Sequence, residues 1–131
     1  MIIKLHGTSG SGKTTAVRGV MALGTLTVVE HNAARPSAPP LVYRVGAGSD
    51  TPLFVFGNYE NICGGCDTIT DYKTVLPVLL ERYAPKGHVL LEGMLLSGSI
   101  GVVGEKLEEL DRRGQEVVYA FMDTPLDVCL A

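Results

Sequence analysis

The chain has 131 residues, 46% of them hydrophobic, and a formal net charge of −3. That length predicts one domain, 1–131, able to bury a real core, and the negative balance excludes the overall basic signature of a dedicated nucleic-acid binder. No apolar run reaches the about 18 residues of a membrane span, and no signal peptide is expected because a glycine-rich loop opens at Gly7. Three cysteines in such a chain point to reduced thiols in a cytoplasm.

Taken in order, Ile2–Leu5 is a short apolar run, Gly7 to Thr14 (GTSGSGKT) fit G-x-x-x-x-G-K-[ST], and Lys13–Met21 has helix-forming character. Strand, glycine loop and helix stand in the order a phosphate-binding loop requires. Gly7, Gly10 and Gly12 let the backbone curl so that several N–H groups face an anion, and the helix adds its positive end there. Lys13 then reaches the β- and γ-phosphates of a nucleoside triphosphate, and the Thr14 hydroxyl ligates Mg²⁺. The competing explanation is a Gly/Ser-rich turn that happens to carry a lysine.

Gly24 ends the first helix, and Thr25–Glu30 (TLTVVE) reads as a second strand. His31–Pro40, with three prolines, reads as a loop. Leu41–Val45 and Leu53–Gly57 predict a β-hairpin, an insertion relative to a plain βαβ repeat. Gly57–Asp71 (GNYENICGGCDTITD) is too rich in Gly, Asn and Asp for a regular element. A helix is expected over Tyr72–Ala84, capped by Thr70 or Asp71 and either starting near Thr74 or kinked at Pro77. His88–Glu92 (HVLLE) is an apolar strand ending in an acid, as a parallel sheet covered on both faces needs. Gly104–Arg113 predicts an amphipathic helix, Glu116–Met122 a fourth buried strand, and Thr124–Ala131 the start of a helix with Thr124 as cap and Pro125 first. The alternation implies an α/β sandwich with a mostly parallel sheet.

Ligands of such sheets bind beyond the carboxyl ends of the strands, where Glu30, Asp67, Glu92 and Asp123 are expected. Glu92 is the candidate second metal-side group, held against Mg²⁺ directly or through water, unless it only caps the following turn. Asp67 could accept or orient the proton of an attacking hydroxyl, or be an Asx-turn residue. Cys63 and Cys66 have C-x-x-C spacing, but no matching ligand pair accompanies them, so tight loop packing is the favoured reading over zinc or redox chemistry. His6 and His88 read as core or rim histidines, and Tyr59 either stacks on a base or packs inward. Arg112 and Arg113 read as solvated charges at a helix end.

GTSGSGKTT after IIKLH, VLLEG, and VYAFMDTPLDVCLA together resemble P-loop kinases of the nucleotide-kinase type. More narrowly, a hairpin followed by GNYENICGGCDTI resembles phage-encoded kinases that phosphorylate 5-hydroxymethyluracil in DNA. The resemblance implies a three-layer P-loop NTPase fold with an inserted β-hairpin, and an ATP- and Mg²⁺-dependent transfer to a hydroxyl of a nucleoside, a nucleotide or hydroxymethylated DNA. Gly7, Thr8, Ser9, Gly10, Ser11, Gly12, Lys13, Thr14 and Thr15 would hold the nucleotide, Thr14 and Glu92 the metal, with Lys13 and Asp67 in the chemistry. It also implies that Asp67 and the turn at Gly64 and Gly65 belong to the acceptor site. Such kinases carry a lid with arginines and usually a further strand, which this sequence does not display before Ala131. A truncated or reduced lid is the expectation, and with it weak catalysis, since one arginine can be worth about 10³-fold. The alternative from another class is a nucleotide-binding or NTP-hydrolysing switch module without a small-molecule acceptor. A local basic strip from Arg35, Arg44, Lys73, Arg82 and Lys86 could offset the negative net charge.

Overall fold

A computed structural model describes residues 1–32, 37–46, 50–60, 64–93 and 101–130. Six strands, β1 (Ile2–His6), β2 (Leu26–Glu30), β3 (Val42–Val45), β4 (Leu53–Phe56), β5 (His88–Glu92) and β6 (Val117–Phe121), form one sheet in the order β2-β3-β4-β5-β1-β6. Pairs β4/β5, β5/β1 and β1/β6 are parallel, while β2/β3 and β3/β4 are antiparallel. Only β3 therefore runs against the rest. The expected hairpin is β3 and β4, and it is built into the sheet, because β4 pairs directly with β5.

Among the described residues four α-helices accompany the sheet: α1 (Lys13–Met21), α2 (Tyr72–Tyr83), α3 (Val102–Arg112) and the short α4 (Leu126–Cys129). Alternation along the strands divides the core in two. Val89 and Leu91 of β5 with Phe54 and Phe56 of β4 face Leu76, Leu80, Leu107 and Leu110 of α2 and α3. Leu90 and Val55 face the other way, onto Val17 and Met21 of α1. The continuous apolar runs of the middle strands are thus explained by burial on both sides. On the surface, Arg113 and Lys106 bond Glu81 of α2 at 2.9 and 2.6 Å, and hold its carboxyl down to about 2. Arg113, half exposed at the helix end as expected, also ties α3 to α2.

Three expectations are corrected. β6 is not a buried strand: it pairs only with β1 among the described residues, and Tyr119 and Phe121 are 46% and 73% exposed. Its apolar run mimics a central strand because sequence periodicity does not reveal which strand lies at the margin. Thr124 does not cap α4; its hydroxyl donates to the Ser11 carbonyl at 2.7 Å, and Pro125 stands at the cap position. α2 runs through Pro77 from Tyr72, with Asp71 in the left-handed region at φ 59 before its first turn and no side-chain cap. Of the basic strip, Arg35 lies outside the described residues, Arg82 is paired with Glu30, and Lys86 sits 5.2 Å over the Tyr83 ring.

Candidate functional site

Because all strands but β3 share a direction, the carboxyl ends of β1, β2, β4, β5 and β6 lie along one edge of the sheet. The glycine-rich loop after β1 sits there. Gly10 and Gly12 take φ of 77° and 95°, conformations that glycine adopts without strain. A Cβ on Gly10 would stand 2.3 Å from the Cys129 carbonyl oxygen, so α4 braces the loop backbone to backbone. No side chain caps the start of α1, which leaves its first N–H groups to an incoming anion.

Lys13 is 6% exposed, and its ammonium donates to the carbonyls of Gly7 at 2.5 Å and Thr8 at 2.9 Å. Residues 8–15, Gly64, Asp67 and Glu92 line one cavity of about 380 Å³. The structure therefore gathers Thr8, Ser9, Gly10, Ser11, Gly12, Lys13, Thr14, Thr15, Asp67 and Glu92 around a single space, with Gly7 just behind the loop. Glu30 lies apart at the far edge of the sheet, on β2.

Glu92 is 2% exposed at the end of β5. One of its oxygens, Oε1, accepts from the Thr14 hydroxyl and from the Tyr59 hydroxyl, each at 3.2 Å. Burial raises the pKa of this carboxyl; the two hydroxyl donors and the Lys13 charge oppose the shift, and Asp67 adds to it. A hydroxyl beside a carboxylate is a pair of hard oxygen donors, which suits Mg²⁺ when phosphates supply the remaining ligands. Among the described residues no group of three or more His, Cys, Asp and Glu assembles, so an all-protein metal cage has no counterpart there.

The loop after β4 reaches this space by glycine. Asn58 and Gly65 form a bridge, Thr68 bonds the Asn58 N–H at 3.0 Å and the Gly65 carbonyl at 2.6 Å, and a short 3₁₀ turn follows at Cys66–Thr68. Asp67 on that turn is exposed and stands against Gly93, whose Cβ, if present, would lie 2.7 Å from Oδ1. Gly65, at φ 91, faces Glu92 in the same way, with an added Cβ 2.6 Å from Oε1 and 2.7 Å from the main-chain oxygen. A Gly65→Ala variant is expected to lose about 2–4 kcal/mol, from the left-handed backbone and from a clash with a paired strand. Gly114→Ala, at φ 94 with open space around it, isolates the backbone part. Equal losses in chemical denaturation of the two variants would contradict the close packing of loop and strand.

Three residues hold the loops in ways the sequence did not single out. Tyr59 packs inward, 7% exposed, as the second donor to Glu92. Arg18 of α1 donates to the Tyr59 carbonyl through two nitrogens at 3.3 Å, tying the loop after β4 to the helix that follows the glycine-rich loop. Thr124 clasps the loop from the other side. No local pattern marks these residues; the glycine pair before Cys66 was the one signal that the backbone approaches something closely. Cys66 is buried and burial pushes its thiol up, which disfavours the thiolate, and Cys63 lies outside the described residues. His6 stacks on Phe121 at 4.9 Å and His88 contacts the N-terminal amine at 3.3 Å, away from the cavity lining.

No family model matches the chain, and no solved structure does. A protein of Pseudomonas phage PaMx11 named 5-hmdU DNA kinase is 33% identical over 129 residues, covering 98% of this chain and 65% of the relative. A second protein of that name, from Pseudomonas phage M6, is 27% identical over 135 residues, covering 98% and 67%. The chain is similar to these phage proteins. It spans about two thirds of their length. The resemblance read from GTSGSGKTT and the CGGCD loop agrees with the names these relatives carry. Among the described residues no helix is long and apolar enough to cross a membrane.

Proposed function

We propose that the chain is a P-loop kinase that moves the γ-phosphoryl group of ATP to the hydroxymethyl group of 5-hydroxymethyluracil in DNA. The observation that carries this reading is the contact of Thr14 with Glu92 in one cavity that Lys13 and Asp67 also line. The three-layer arrangement, with a glycine loop between the interior strand β1 and α1, supports a P-loop NTPase architecture. The relatives' name supports the DNA acceptor, and the free nucleoside and nucleotide have no counterpart in it.

In this reading the N–H groups of residues 7–15 and the start of α1 bind the phosphates, and Lys13 turns from the loop carbonyls to the β- and γ-oxygens. Thr14 and Glu92 would hold Mg²⁺, which supplies charge neutralisation of the phosphates. Tyr59 fixes the Glu92 carboxylate in place. Asp67, exposed on its turn, accepts a hydrogen bond from the acceptor hydroxyl, orients it for in-line attack and takes its proton as the new O–P bond forms and the bond from the γ-phosphorus to the bridging oxygen of the departing ADP breaks.

Transfer of labelled phosphate from ATP is the test, against thymidine, thymidine monophosphate, free hydroxymethyl nucleosides and DNA containing 5-hydroxymethyluracil. Label on the DNA is expected. Label on a small nucleoside alone would remove DNA from the reading, and nucleotide loss independent of any acceptor would replace the kinase with a nucleotide switch. Asp67→Asn is expected to lower turnover about 10²- to 10⁴-fold with little change in ATP affinity. Weakened ATP binding at unchanged turnover would argue against an acceptor role.

A further inference from the structure

A second cavity, of about 480 Å³, opens on the same edge of the sheet between the end of β2 and the start of α2. Leu41, Ile69 and Val75 give it apolar walls, and Asn32, Ser37 and Thr70 give it a polar margin. It shares a partition with the phosphate-loop cavity. Asp67 lines one side of that partition, and the next residue, Thr68, lines the other. We infer that this second cavity receives the acceptor base, swung out of its duplex, so that its 5-hydroxymethyl group meets Asp67 across the Cys66–Thr68 turn.

The inference rests on the kinase reading above and names how its acceptor is seated. In-line attack needs the acceptor oxygen about 3–3.5 Å from phosphorus. The Lys13 ammonium is buried at the floor of the first cavity, and a hydroxyl one methylene from a stacked ring does not reach a phosphate held there with a whole duplex attached. Enzymes that act on a base inside a duplex meet this problem by extruding the nucleotide. A pyrimidine is a flat apolar body with polar edges, which is what apolar walls and a margin of amide and hydroxyl groups recognise. The volume falls within the roughly 300–1,000 Å³ of small-ligand sites.

The walls are built rather than incidental. Glu30 at the end of β2 is bonded by Arg82 and by the Tyr83 hydroxyl, the latter at 2.6 Å. Burial works to raise the Glu30 pKa, but these donors hold it below its ordinary value. Thr68 is fixed by the two hydrogen bonds already described, which set the partition. A base-sized cavity also supplies affinity that a chain of net charge −3 does not gain from neutralising backbone phosphates.

The test uses duplex DNA carrying one 5-hydroxymethyluracil beside 2-aminopurine, whose fluorescence rises when its neighbour leaves the stack. The protein is expected to brighten this DNA, and a duplex with thymine at that place far less. Ala38→Phe and Thr70→Phe, both placed on the cavity lining, should each suppress the brightening and lower kcat/KM for the DNA about tenfold or more. ATP affinity and melting temperature should stay near those of the parent. Transfer to the DNA without brightening, or transfer undiminished in both variants, overturns the inference and leaves the kinase standing. Brightening that both variants suppress, in a protein that transfers nothing, keeps the cavity as a base site and removes the kinase reading alone.

Discussion

Lys13→Ala is expected to lower phosphoryl transfer by about 10³-fold or more while the fold persists. Transfer develops negative charge on the phosphoryl oxygens, and a positioned cation in a water-poor site stabilises that charge far more than the ground state. Lys13 is 6% exposed at the first turn of α1, so its stem is already ordered, and little side-chain entropy is lost when its head moves to a phosphate. The structural cost of the change is modest. Its two acceptors, the Gly7 and Thr8 carbonyls, belong to a loop whose Thr8 and Ser9 are exposed, and water can replace the ammonium there. Lys13→Arg should restore charge but not activity, because a planar guanidinium does not fit a space shaped for a compact ammonium. Turnover, ATP affinity by calorimetry and a melting curve check all three statements. Full activity in the alanine variant would sink the assignment of the phosphate loop.

Glu92→Gln should reduce transfer about 10²-fold and, at the same time, make the protein more heat-stable at neutral pH. The loss follows from removing the charged metal-side group while keeping its shape and its acceptor oxygen for Thr14 and Tyr59. The gain follows from linkage. Burial raises the Glu92 pKa in the folded protein, so the folded state holds the proton more tightly than the unfolded chain does. Such a group contributes stability that is full below its unfolded pKa and fades as pH rises through its folded pKa. Glutamine does not titrate and suffers no such loss. Melting temperatures of parent and variant should therefore lie close together near pH 4 and separate near pH 7.5, with the variant higher. A variant that melts lower at neutral pH, or one that keeps the parent's transfer and Mg²⁺ dependence, would contradict the placement of Glu92.

The glycine-rich loop between β1 and α1 was legible in the sequence because its pattern is local. GTSGSGKT carries its own turn glycines, its lysine and its hydroxyl within a few residues, and β1 and α1 flank it as expected. β5 was legible because three consecutive buried apolar residues, Val89, Leu90 and Leu91, lead directly into the terminal acid. Tyr59 was not, because its meaning depends on a carboxylate 33 residues away. The margin position of β6 was hidden for a similar reason: VVYAF reads as a central strand until its neighbours are known. Thr124 shows the opposite error. A good capping residue before a proline found a better acceptor in the Ser11 carbonyl, so tertiary contact overrode a local preference.

The position of β1 has a kinetic consequence. This strand comes early in the chain, yet its two neighbours begin pairing with it only at Val89 and Val117. This interior strand thus waits for loops that close over most of the chain, and contacts of that span are slow to form. Until they do, Ile2 and its neighbours expose an apolar strand on both sides, open to pairing with another copy. Refolding should be slow and concentration-sensitive, and the phosphate loop, whose geometry depends on β1 being held, should acquire nucleotide affinity only in the last step. Adding nucleotide early would then capture the finished state without hastening its arrival.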